Sequence, residues 1–148
     1  MISPAFTRAV VGLWLAALAA LASGCSPAET TTSTCVQGLD LTCAPLYEPT
    51  FDQIYTRTLQ PTCAISGASC HASEGAMGGL VFADEGGAYA ELLGQNGAKK
   101  RVVAGDPACS LVMERLAATE GALMPPGAPL ADAERCAIAR WIRNGAKR

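Results

Sequence analysis

The chain has one histidine, His71, and it directly follows Cys70. With seven cysteines in 148 residues, chance alone would put the sole histidine behind a cysteine about one time in twenty. A further cysteine, Cys63, lies upstream, with six residues (AISGAS) between it and Cys70. Three chemistries are open to such a set. The two thiols could form a disulfide, worth ~2.5 kcal/mol for so short a loop by chain entropy. They could join His71 around zinc, but no fourth ligand is evident. Or they could carry a covalently attached group while the adjacent imidazole ligates a metal. On a regular helix, residues seven apart are separated by ~10.5 Å at 1.5 Å rise per residue, so thiols acting together require the insert to bulge. Ser66-Gly67-Ala68-Ser69 is a sequence able to do so. The spacing by itself favours the disulfide.

The elements that must position these residues read as helices. Thr50–Leu59 is the first, with Thr50 as cap, a stripe of Phe51, Ile54, Tyr55 and Leu59, and Pro61 as its end. After Cys70-His71 comes a glycine-rich loop through Gly78-Gly79. Ala88–Leu93 is a short second helix stopped by Gly94. Asp106 as cap and Pro107 in the first turn start a third helix, which reaches about Ala118. Met124-Pro125-Pro126-Gly127 is loop. The fourth helix runs from about Asp132 to Asn144, closes at Gly145, and buries Ile138, Trp141 and Ile142. No segment alternates long enough to read as a strand, and no internal repeat is present.

The N-terminus reads as an export signal. Arg8 is followed by an apolar run from Ala9 to Leu21, short for a span of roughly 20 residues, then by small residues and Cys25. The stretch LASGC resembles a bacterial lipobox, with Ala22 where leucine is usual; the resemblance implies lipidation at Cys25 and cleavage before it. Cleavage leaves 124 residues and, with Arg8 gone, moves the net charge from −2 to about −3. No basic patch points to nucleic acid; Lys99-Lys100-Arg101 and Lys147-Arg148 read as solvated surface. The polar stretch from Ser26 to Thr34 reads as a tether with a reach of roughly 17 Å. Besides Cys25, six cysteines remain, an even number that suits an oxidising compartment. The expected pairs are Cys35–Cys43, which is local, and Cys109–Cys136, which would tie the base of the Met124 loop.

Cys63, Cys70 and His71 resemble the haem-attachment motif of c-type cytochromes, stretched by four residues. The rest of the chain strengthens the resemblance. Gly79-Leu80, Ala88-Tyr89 to Leu92, Arg101 to Pro107 with Ser110 and Leu111, Met124-Pro125-Pro126, and Trp141-Ile142 to Gly145-Ala146 follow the order seen in small cytochrome-c-like domains of exported bacterial proteins. The ordered set covers about residues 49–148. It implies an all-α domain of about four helices with long loops, behind a signal (1–24) and a lipidated tether (25–48). It implies haem c held by thioethers from Cys63 and Cys70, with His71 and Met124 as iron ligands. Met113 reads as core, and Met77 stands too near His71 to reach the opposite haem face easily. The implied function is one-electron transfer to a redox protein partner from a membrane-anchored position in the cell envelope, without substrate turnover. A peroxidase-like site would need Met124 off the iron, and no acid–base pair supports it. The alternative is a haemless, disulfide-stabilised binding or structural lipoprotein on the same fold.

Overall fold

The computed structural model describes residues 35–65, 70–119 and 121–148. The signal segment, Cys25 and the tether to Thr34 lie outside these residues. Among the described residues the fold is all-α, with four helices joined by long loops and no strand. None of these helices is long and apolar enough to cross a membrane.

The first helix, α1 (Phe51–Ile54), passes directly into a wider π-helical segment, Tyr55–Cys63. Pro61 does not end it, contrary to the expectation. In an α-helix its ring would clash with the carbonyl one turn back. The π-turn, with bonds reaching five residues back, relieves that contact; Ala64 N donates to Leu59 O at 2.8 Å in this pattern. Cys63 is thereby carried on the last turn of the helix. Thr50 is extended at the N-terminus, but its side chain makes no capping bond.

Helix α2 (Glu85–Leu93) starts three residues before the expected Ala88, because Asp84 caps it: Gly87 N donates to Asp84 Oδ1 at 2.8 Å. Gly94 ends it at φ +70°. No other residue fits there, since a Cβ would stand 2.7 Å from the Lys100 backbone.

Helix α3 (Leu111–Ala117) starts later than the Asp106-Pro107 signal implies. Those residues form a separate turn, in which Asp106 Oδ1 accepts from Cys109 N at 3.1 Å. Ser110 accounts for the difference. Its buried hydroxyl donates to Asp106 O at 2.7 Å and accepts from Val103 N at 2.9 Å, so the turn is tied to the preceding extended segment. Side-chain bonding of this kind competes with helix formation.

Helix α4 (Asp132–Arg143) buries Cys136, Ala137, Ile138, Ala139, Trp141 and Ile142. It meets α1 where Trp141 packs on Phe51 with ring centroids 5.3 Å apart, and Tyr89 from α2 stands edge-on to Phe51 at 5.0 Å. Burying aromatic rings this way is worth several kcal/mol. It joins the two ends of the domain and leaves the middle loops to line a cavity.

Residues 35–48, assigned above with the tether, lie against the helices. Val36 N donates to Ala108 O and Leu46 N to Ala133 O, both at 2.9 Å. The disulfides are Cys35–Cys109 and Cys43–Cys136, which corrects the expected pairs Cys35–Cys43 and Cys109–Cys136. The segment crosses from the start of α3 to the start of α4, so its two cysteines reach different elements rather than each other.

Candidate cofactor site

A cavity of about 440 Å³ opens between the π-helical segment, the glycine-rich loop, α3 and the Met124 loop. Its volume suits a small organic group. Most of its wall is apolar, including Leu59, Leu80, Phe82, Leu92, Leu116 and Ile138. Cys63, Cys70, His71 and Met124 all face onto it.

Cys63 comes from the end of the π-helical segment, and His71 is set beside it by a backbone bond: His71 N donates to Cys63 O at 3.0 Å. Cys70 is fixed from the other side, its carbonyl accepting Met77 N at 3.3 Å. Both thiols are free and half-buried. Burial, with Cys70 and then Glu134 adding charge repulsion, pushes the Cys63 thiol up to about 11.

The His71 ring is oriented by two contacts. Nδ1 lies 3.2 Å from the Leu80 carbonyl oxygen. A carbonyl can only accept, so Nδ1 carries the proton and Nε2 holds the free lone pair. The ring also packs on Phe82, centroids 5.4 Å apart, and the Phe82 amide donates to His71 O at 2.8 Å. An imidazole held this way has the second-shell bond found in metal-ligating histidines.

Met124 is held by its amide, which donates to Arg115 O at 3.0 Å on α3. The Met124-Pro125 peptide bond is cis. Met77 also borders the cavity, but it is exposed, as is Ile65. Met113 is core and lines no part of this cavity. Among the described residues no three His, Cys, Asp or Glu side chains gather as a metal-ion cage, so zinc held by Cys63, Cys70 and His71 finds no support.

The sequence reading missed Arg101. Placed above with the solvated Lys99-Lys100 cluster, it is in fact buried, 6% exposed, in the cavity wall. Its guanidinium donates to Gly78 O and Gly79 O, to Lys99 O, and to both the carbonyl and the carboxylate of Glu91. One signal was available: Arg101 opens the stretch Arg101 to Pro107, one of the pieces that carry the resemblance. The set Tyr47–Thr58–Glu134, in which Tyr47 and Thr58 are buried, was missed too. Tyr47 Oη and Thr58 Oγ1 share a short hydrogen bond, and Thr58 Oγ1 donates to Glu134 Oε1 at 3.1 Å. It joins residues 76 positions apart, which no local pattern reveals.

A small all-α domain with two free thiols, a tied imidazole and a thioether around one apolar cavity is the class defined so far. Residues 68–127 match the family model described as Planctomycete cytochrome C. The match supports a cytochrome-c-like domain over that stretch. The matched stretch contains Cys70, His71 and Met124 and stops short of Cys63. No curated protein and no solved structure matches the chain.

Proposed function

We propose that the protein is a c-type-cytochrome-like electron carrier. Cys63 and Cys70 would hold haem covalently, and His71 and Met124 would ligate its iron. The observation that carries this reading is the common placement of these four side chains on one apolar cavity, with His71 Nδ1 already committed to Leu80 O. Bound haem supplies a one-electron iron couple.

The chain's own residues do the rest. Leu80 O accepts a hydrogen bond from Nδ1–H and so keeps Nε2 as the metal-binding nitrogen. The apolar wall keeps water from the site and favours the less charged, reduced state. Met124 offers a soft neutral ligand that acts in the same direction. Ile65 and Met77, which line the cavity and are exposed, offer an apolar rim for a redox protein partner. A lipid on Cys25 would hold the domain at a membrane of the cell envelope, facing the periplasm or exterior, with residues 26–34 as tether.

The test is to produce the chain in a periplasm equipped for haem attachment and denature it. A Soret band and in-gel peroxidase staining that survive denaturation are expected, and Cys63→Ala/Cys70→Ala should abolish both. An intact Cys63–Cys70 disulfide with no Soret absorption would overturn the reading in favour of a haemless lipoprotein.

A further inference from the structure

Arg101 is the most heavily committed polar side chain of the cavity wall, and the cofactor reading gives it no task. Its five hydrogen bonds divide into two groups. Nη1 is held on the α2 side, by Glu91 O at 3.1 Å, Glu91 Oε2 at 3.2 Å and Lys99 O at 2.9 Å. Nη2 reaches across to the glycine-rich loop, to Gly78 O at 2.8 Å and Gly79 O at 3.0 Å. The next residue is Leu80, whose carbonyl accepts a hydrogen bond from His71 Nδ1–H.

That loop contains three positive-φ residues in four positions, Ala76, Gly78 and Gly79 among 76–79. Its backbone bonds are short turns together with Met77 N to Cys70 O at 3.3 Å and Phe82 N to His71 O at 2.8 Å, which flank Gly78 and Gly79 without engaging their carbonyls. Such backbone has no helix or sheet ladder to fix it, and opens readily unless tied elsewhere. Between those two bonds, the guanidinium ties Gly78 and Gly79. It is planar with donors in a fixed fork, and its bonds carry charge, so it can span two carbonyl groups on one side and a carboxylate on the other.

We propose that Arg101 is a positioning residue for His71. By clamping Gly78 O and Gly79 O to α2, it fixes where the Leu80 carbonyl points, and the Leu80 carbonyl sets the imidazole tautomer and plane. The use of that orientation, presenting Nε2 to haem iron, rests on the proposed function. The orientation itself does not, and it can be read without cofactor.

His71 is the only histidine, so its ring nitrogens give unambiguous ¹⁵N signals in the full chain. In haem-free protein at a pH where the ring is neutral, the wild type should show mainly the Nδ1–H tautomer, the minor form of free imidazole in water. Arg101→Met should shift the ring towards the Nε2–H form. The Gly79 and Leu80 amides should then exchange about tenfold faster, the scale of one lost hydrogen bond to a charged donor. Arg101→Lys, a point donor without the fork, should fall between, which also covers the case in which Arg101→Met does not fold. Glu91→Gln keeps the clamp on Gly78 and Gly79 and should leave the tautomer unchanged. In haem-loaded protein, Arg101→Lys should keep the covalent attachment while altering the electron-paramagnetic signature of the axial imidazole plane. A wild-type ring in the Nε2–H form, or folded Arg101 variants with unchanged tautomer and exchange, would overturn the proposal. If the wild type takes up no haem, the proposed function falls, and the haem-free measurements still decide the role of Arg101.

Discussion

The His71 amide donates to the Cys63 carbonyl at 3.0 Å, although the two residues are eight positions apart. The histidine is thus delivered beside the first thiol despite the long insert. That contact makes the stretched spacing compatible with a shared site. Deleting Ser66–Ser69 would leave Cys-Ala-Ile-Cys-His, the two-residue spacing of c-type cytochromes. Haem attachment to this deletion variant should be at least as complete as in the wild type, judged by the ratio of Soret to protein absorbance after denaturation. Attachment in the wild type but not in the deletion variant would mean that the insert itself is required.

Met124 and Met77 both border the cavity, but only Met124 is packed against the core. Met124→Ala in haem-loaded protein should leave the cofactor attached, lower the midpoint potential and let carbon monoxide bind the reduced iron readily. Met77→Ala should do none of these. Potentiometry and carbon monoxide difference spectra check both. The reverse pattern would assign the sixth position to Met77.

The disulfides Cys35–Cys109 and Cys43–Cys136 close 74 and 93 residues of chain. Long loops restrict the unfolded state strongly, so replacing both cysteines of either pair by alanine should cost about 2–5 kcal/mol. Urea unfolding of the haem-free chain measures this, and non-reducing peptide mapping should recover these two pairs. A Cys35–Cys43 peptide would contradict the fold of residues 35–48.

In haem-free protein the Cys63 thiol titrates near 11, above its ordinary value of 9.0. The folded state therefore keeps a proton that the unfolded chain gives up. Stability attributable to this group is fully present below about pH 9 and is lost as pH rises towards 11. The loss is on the order of 2–3 kcal/mol for a shift of about two units. Urea unfolding between pH 7 and 11 should show this decline in the wild type and a flatter one in Cys63→Ala. Parallel curves for the two proteins would refute the raised value.

Cys25→Ser should move the protein from the membrane fraction to soluble or precursor forms, as read by fractionation and immunoblot. A variant that fractionates like the wild type would remove the lipid anchor from the proposed function.

Much of this protein was legible in its sequence, because the deciding signals are local. Helical spacing of Phe51, Ile54, Tyr55 and Leu59, the glycine after Leu93 and the proline-rich Met124 loop mark elements over a few residues each. The all-α class and the cytochrome-c-like domain followed from their order. Helix starts were less legible, because Asp84 caps α2 early while Ser110 bonds back to Asp106 and delays α3. Pro61 misled because a wider turn was open to the backbone.

What only the tertiary structure decided are relationships between distant residues. Cysteine spacing offers several pairings with no rule to choose among them, and the path of residues 35–48 from α3 to α4 makes the choice. Arg101 looks like one of three surface cations until the glycine-rich loop folds over it and supplies carbonyl acceptors. The Leu80 carbonyl that orients His71 is backbone, identical in type at every position, so no residue letter could announce it. Side-chain chemistry is written along the chain, whereas burial and backbone acceptors exist only once distant segments meet.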